Sequence, residues 1–161
     1  MKTKLMRTLP LATLSLVLSF SHTLYAQTNA PAPAKPVMRS GVFQWSDMKG
    51  QPSETATYRN VFDAPTATLQ ALSCHVTTLN PHKEPHPPHQ HPEEELLIIK
   101  EGTLEVVQNG VTNRVAAGGM VFCASNEIHG WRNATEKPVT YYVLKIVPPN
   151  SSKPASKTTS Q

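Results

Sequence analysis

The chain has 161 residues, 39% hydrophobic and 16% charged, a length that argues for one domain. Fifteen Lys and Arg against eleven Asp and Glu give a formal net charge of +4, yet three of the basic residues (Lys2, Lys4 and Arg7) and none of the acidic ones lie before Gln27. From Gln27 onward the balance falls to +1, which removes the electrostatic argument for a nucleic-acid partner.

In chain order, Met1 to Ala26 reads as a secretory signal peptide. A basic start precedes an apolar stretch from Leu9 to Phe20, and Leu24-Tyr25-Ala26 offers a cleavage site. The apolar run is too short for a comfortable membrane span, and no other segment is long and apolar enough. The expectation is an exported protein, periplasmic or secreted, without membrane attachment once the signal is removed. Residues 27–36 (QTNAPAPAKP) read as an extended Pro/Ala-rich linker, and 148–161 (PPNSSKPASKTTSQ) as a disordered tail. The folded body is expected over 37–147, enough for one compact core.

Within the body the signals are those of strands. Leu69 to Leu79 is mostly apolar or β-branched, and Leu96 to Ile99 is a short apolar run that ends at Glu101-Gly102. Thr103 to Gln108 and Val111 to Ala116 flank Asn109-Gly110, a tight hairpin turn. Gly118-Gly119 marks another turn before Met120 to Cys123, and Val139 to Val147 (VTYYVLKIV) is the strongest strand. No long window has a helical apolar period, so the pattern predicts an all-β, antiparallel sandwich or barrel. The two cysteines, Cys74 and Cys123, allow at most one disulfide; both sit in strand-like apolar surroundings, and buried small hydrophobes are the preferred reading.

Four histidines fall within ten residues: His82, His86, His89 and His91, followed by Glu93, Glu94 and Glu95. On an extended strand His89 and His91 point to one face, and Glu95, four residues beyond His91, returns to it. His129 can complete the set from a strand remote in sequence. Three neutral imidazoles and a carboxylate make a borderline N/O site for a divalent Mn, Fe, Ni, Cu or Zn ion, with positions left for water or substrate. The competing reading is a solvated His- and Pro-rich loop that captures metal adventitiously.

The pattern around this cluster resembles the cupin superfamily in both of its signature motifs. The first runs His89-Gln90-His91, three residues, Glu95, six residues, Gly102; Lys83 stands where the family usually opens the motif with glycine. The second runs Gly118, His129, Asn133 at matching spacing, with Ala124 in place of the motif proline and Asn126 in place of its glycine. Asn126 tolerates the left-handed backbone that a glycine would supply. Fifteen residues, Thr103 to Ala117, separate the motifs. The resemblance implies a cupin-type double-stranded β-helix, an RmlC-like jelly-roll barrel, with His89, His91, Glu95 and His129 as metal ligands. Pro87-Pro88 would hold the approach to His89 extended, and Gly102 would permit the turn after the Glu95 strand.

Other residues have weaker claims. His86 could face the cavity as a proton carrier or lie exposed in its loop, His82 is expected in solvent, and His75 reads as a structural histidine within a strand. Glu93 and Glu94 are expected at the surface, although either could bond a ligand imidazole. Cys123 could line the pocket. Tyr142 is expected to point into the barrel if Lys145 points to water, where it would orient substrate, serve as an acid, or simply pack. Trp131 and Arg132 could edge the mouth, and Asn133 is expected to fix a loop.

Three functions stay open. The preferred one is a metal-dependent enzyme, an oxygenase or oxidoreductase acting on a small oxygen-rich molecule, with Glu95 either staying bound or moving off to act as a base. Isomerase, lyase and decarboxylase chemistry also occurs among single-domain cupins. The others are a ligand-binding module and a periplasmic metal-binding protein. The resemblance also implies a homodimer, with residues 37–59, including Val42, Phe43 and Trp45, available for the interface.

Overall fold

The computed structural model describes residues 35–149. The signal peptide, most of the linker and most of the C-terminal tail expected from the sequence lie outside the described residues. Among those described, the elements are one 3₁₀ turn, Trp45–Asp47, and nine strands: β1 (Gln51–Pro52), β2 (Ala56–Ala64), β3 (Ala71–Leu79), β4 (Glu94–Glu101), β5 (Thr103–Gln108), β6 (Val111–Ala116), β7 (Met120–Cys123), β8 (His129–Arg132) and β9 (Val139–Val147). All named pairings are antiparallel. A six-stranded sheet in the order β1-β2-β3-β9-β4-β7 faces a three-stranded sheet in the order β6-β5-β8, a jelly-roll arrangement.

The core lies between the two sheets and follows strand parity. β4 contributes Leu97 and Ile99, β9 contributes Val139, Tyr141 and Val143, and β5 contributes Leu104 and Val106. Each of these alternates with a residue turned away, so the side-chain period of two sets which groups reach the interior. The β5–β6 hairpin turns on Asn109 and Gly110, both at positive φ (47° and 83°), the backbone a two-residue hairpin of this hand requires. Gly102 closes the β4–β5 turn at φ 81°.

Register then places the chemistry. Ser73, Lys145, Glu95 and Cys123 stand side by side on β3, β9, β4 and β7. The next inward row is His75, Val143, Leu97 and Val121. Cys74 has the opposite parity to Ser73 and His75, so the two buried, free cysteines face opposite sides of the sheet and do not pair.

Three strands, β1, β2 and β8, show no strand pattern of their own in the sequence; β1 has only two residues. β2 carries Arg59, Asn60 and Asp63, and its register against β3 shifts between Asn60 and Phe62, so no clean alternation marks it. β8 has only four residues, His129-Gly-Trp-Arg, too few to show a period.

Candidate metal centre

His89 and His129 are brought together by the backbone. Each donates its N–H to the other's carbonyl oxygen at 2.9 Å, an isolated antiparallel bridge between the start of β8 and the segment that precedes β4. Directly opposed residues in such a pair project to the same face, and the two rings stand 4.9 Å apart. The bridge needs Gly130: a Cβ there would lie 2.9 Å from Pro88 Cα, so glycine lets the Pro87-Pro88 approach close on β8. His91, two residues on, returns to the same side, its ring 5.2 Å from His89 and 4.9 Å from His129. Its carbonyl accepts the Asn126 N–H at 2.8 Å. Asn126 sits at φ 60°, supplying the left-handed turn expected of it.

The ring orientations are set by outer hydrogen bonds. Nδ1 of His91 lies 3.0 Å from the Glu93 carbonyl oxygen, and Nδ1 of His129 lies 2.8 Å from that of Glu127. A carbonyl only accepts, so Nδ1 carries the proton in both rings and Nε2 is left as a lone pair. The Glu93 carboxylate also approaches His91 Nδ1 at 3.3 Å, so Glu93 supports a ligand ring from outside the cluster. Burial, then the neighbouring imidazoles, push His89 below its ordinary pKa, which favours the neutral form that can coordinate.

Among the described residues, four buried side-chain atoms are left without a hydrogen bond: His89 Nδ1, His91 Nε2, His129 Nε2 and Glu95 Oε2. They belong to the four residues singled out by the sequence. Donor atoms of the three histidines lie within 4.8 Å of one another. The carboxylate sits beside them, Oε1 at 3.5 Å from His91 Nε2 and Oε2 at 3.5 Å from His129 Nε2. A buried polar atom with no partner costs about 1–3 kcal/mol, so four in one place need a common explanation. One cation would satisfy all four. The donor set therefore fits a divalent transition ion, and three close histidines can bind one.

A cavity of about 370 Å³ opens onto His89 and Glu95. Trp131 forms part of its wall, stacked near-parallel to His129 at 6.1 Å, and donates its indole N–H to the Tyr141 hydroxyl at 2.8 Å. Burial pushes the Tyr141 phenol up to about 12. His86 packs edge-on against both His89 (4.3 Å) and Trp131 (5.5 Å), so it edges the cavity although largely exposed. His75 also lines it and is not merely a strand-filling residue.

Tyr142 requires correction. Tyr141, Val143 and Lys145 line the cavity, and Tyr142 has the opposite parity, so it faces away from the interior. The expectation had assumed that Lys145 must seek water. Instead its ammonium lies 3.2 Å from Glu95 Oε1, and the buried carboxylate compensates its charge inside. Sequence reasoning thereby missed Tyr141 and Lys145; the inward parity of Val139, Tyr141 and Val143, continued two residues further, was the available signal. Arg132 is turned outward and paired with Glu105 at 2.5 Å, while Trp131 is buried. Asn133 fixes a loop as expected, donating to the carbonyls of Leu79, Asn80 and Lys137. His82 lies at the surface, 3.0 Å from Glu136.

A family model described as Cupin domain matches residues 75–145. No curated protein matches the sequence. Among solved structures, an RmlC-like cupin from Shewanella frigidimarina superposes with a TM-score of 0.55 at 15% identity, over 69% of this chain and 95% of that one. A predicted oxalate decarboxylase from Thermotoga maritima gives 0.56 at 17% identity, over 66% and 99%. The polyketide cyclase RemF from Streptomyces resistomycificus gives 0.57 at 22% identity, over 73% and 83%. These likenesses carry the fold and no particular reaction. Both histidine motifs, the jelly roll and the family model agree over residues 75–145, and that segment is a cupin domain.

Proposed function

We propose that this cupin is a metal-dependent enzyme, an oxygenase or oxidoreductase that acts on a small oxygen-rich organic molecule. The observation that carries the reading is the convergence of four unpartnered buried donor atoms, from His89, His91, Glu95 and His129, at the edge of a cavity. A divalent Mn, Fe, Ni, Cu or Zn ion held there would act as a Lewis acid toward substrate oxygens and, if redox-active, would connect substrate and dioxygen electronically.

The chain's own groups favour oxidation over isomerase or lyase chemistry. Those reactions need a positioned acid and base. Tyr141 is buried, which favours its neutral phenol, and its oxygen accepts the Trp131 indole N–H. Glu95 is engaged by Lys145 and lies against two imidazoles. Tyr141 and Glu95 thus orient and enclose more readily than they move protons, which leaves His75 and His86 as the cavity's proton-carrying groups, and Trp131 with Tyr141 forms one wall of it. The basic and apolar character of Met1 to Ala26 supports action in the periplasm or outside the cell. The apolar residues Met120 and Phe122, exposed on the edge strand β7, support a homodimer.

The test is elemental analysis of protein purified from its native compartment, followed by dioxygen-uptake measurements with a panel of small enols, phenols and hydroxy acids. The expected result is about one transition-metal ion per chain and uptake that stops on chelation. A chain without metal overturns the reading. Metal with no dioxygen uptake, alongside turnover of a panel member, overturns the reaction class alone.

A further inference from the structure

Lys145 is not explained by the metal site. Its neighbours in the inward row are Ser73 and Glu95, and its side chain remains about 37% exposed while lining the cavity. An ammonium has three donors, and the contact with Glu95 Oε1 engages one. Among the residues that line this cavity, Lys145 is the one lysine or arginine and Glu95 the one carboxylate. They neutralise each other. A divalent ion on the histidines would therefore leave an uncompensated charge of about +2 beside a partly enclosed space.

The surroundings are suited to receive the missing anion. His75 is one row above Lys145, and burial, with a smaller effect of Lys145, pushes its imidazole below the ordinary value; Glu95 acts in the opposite direction. A neutral imidazole at that place can donate one hydrogen bond without adding charge. The Tyr58 ring lies tilted against His75 with centroids 4.8 Å apart and lines the same cavity, adding a phenol donor. Val143, the cross-strand partner of His75, and Trp131 on β8 offer apolar surface to a carbon skeleton. A volume of about 370 Å³ is at the small end of ligand pockets.

We propose that Lys145, supported by His75 and Tyr58, forms a carboxylate-binding subsite, and that the substrate is a small organic acid. One of its oxygens would meet the metal and its carboxylate would meet Lys145. This rests on the metal-dependent reading above. It makes Lys145 a specificity residue that touches substrate, rather than one that acts only by steadying Glu95.

The full chain, loaded with one equivalent of Ni(II), is titrated calorimetrically with malonate and salicylate and with their neutral amides, malonamide and salicylamide. The wild type is expected to bind the acids at least tenfold more tightly than the amides, as a charge-assisted contact requires. Lys145→Met is expected to lose that preference to within about twofold while retaining its metal, and Lys145→Arg to keep most of it. Lys145→Gln replaces the methionine variant if that variant does not fold. A Lys145→Met protein that holds metal and still prefers acids overturns the subsite. Loss of metal from Lys145→Met in parallel with Glu95→Gln overturns it too, because Lys145 then acts through Glu95. A wild type that takes up no Ni(II), seen before any acid is added, sinks the metal-dependent reading instead.

Discussion

His91 is held at three points before any ligand arrives. Asn126 bonds its carbonyl, and the Glu93 carbonyl and carboxylate both approach Nδ1. The ring cannot easily turn, so Nε2 is presented to the cluster as a fixed lone pair. Pre-orientation of this kind lowers the entropy cost of binding and selects the tautomer. His82 has none of these constraints; its ring is exposed and paired with Glu136. The two residues therefore separate a built site from a metal-capturing loop. His91→Ala is expected to lower metal affinity by about 100-fold or more while the fold persists, since removing even an outer partner of a ligand costs about 10- to 100-fold. His82→Ala is expected to leave metal content unchanged. Elemental analysis of both folded variants checks this, and equal loss in the two would point to adventitious capture.

At the scale of elements, the site depends on a close crossing. The Pro87-Pro88 segment must lie against β8 for His89 to bond with His129, and Gly130 makes room for it. Gly130→Ala would set a Cβ 2.9 Å from Pro88 Cα, against backbone that cannot yield as a flexible side chain would. We expect the variant to keep its β-rich circular dichroism but to bind metal more weakly, about tenfold or more, because His89 is displaced from its partner. Unchanged metal affinity, measured by competition with a chelator, would show that the bridge does not position His89. Much of this arrangement was legible in the residues. The two-residue spacing of His89 and His91, the even offset to Glu95 and the distant His129 gave the cluster, and Asn109-Gly110 gave the hairpin. What escaped was decided by tertiary pairing. β2 hides its period behind polar residues and a register shift, and β9 admits a lysine inward only because Glu95 stands next to it on β4. No rule that reads one strand at a time can detect that compensation.

At the scale of the whole molecule, two faces of the six-stranded sheet do different work. One buries the core and the donor cluster; the other carries Leu144, Leu96 and Phe122 in one row. Phe43 packs on Phe62 at 5.1 Å, and Trp45 is flanked by Arg59 and Lys100, so the N-terminal arm covers part of this second face from its own chain. Phe122 and Met120 on β7 stay more than half exposed. A second copy is the natural cover for such an edge, and Phe122→Glu is expected to shift the chain from dimer to monomer in light scattering with little change in metal content. A wild type that is already monomeric would end the dimer proposal.

Metal and global stability are linked because the donors come from both sheets. His129 lies on β8 of the smaller sheet and Glu95 on β4 of the larger, while His89 and His91 sit in the segment that precedes β4. An ion shared among them would tie the two layers together, and unfolding would scatter its ligands. Preferential binding to the native state stabilises by RT ln(1 + [L]/Kd), about 2.7 kcal/mol at a hundredfold excess over Kd. For a domain of this size that corresponds to a rise in melting temperature of roughly 10 °C. Stripping the metal with a chelator is therefore expected to lower the melting temperature by about that amount, and re-addition to restore it. His91→Ala should melt at one temperature with or without added metal. A wild type whose melting is indifferent to verified metal removal would mean that the four donors do not close around one ion.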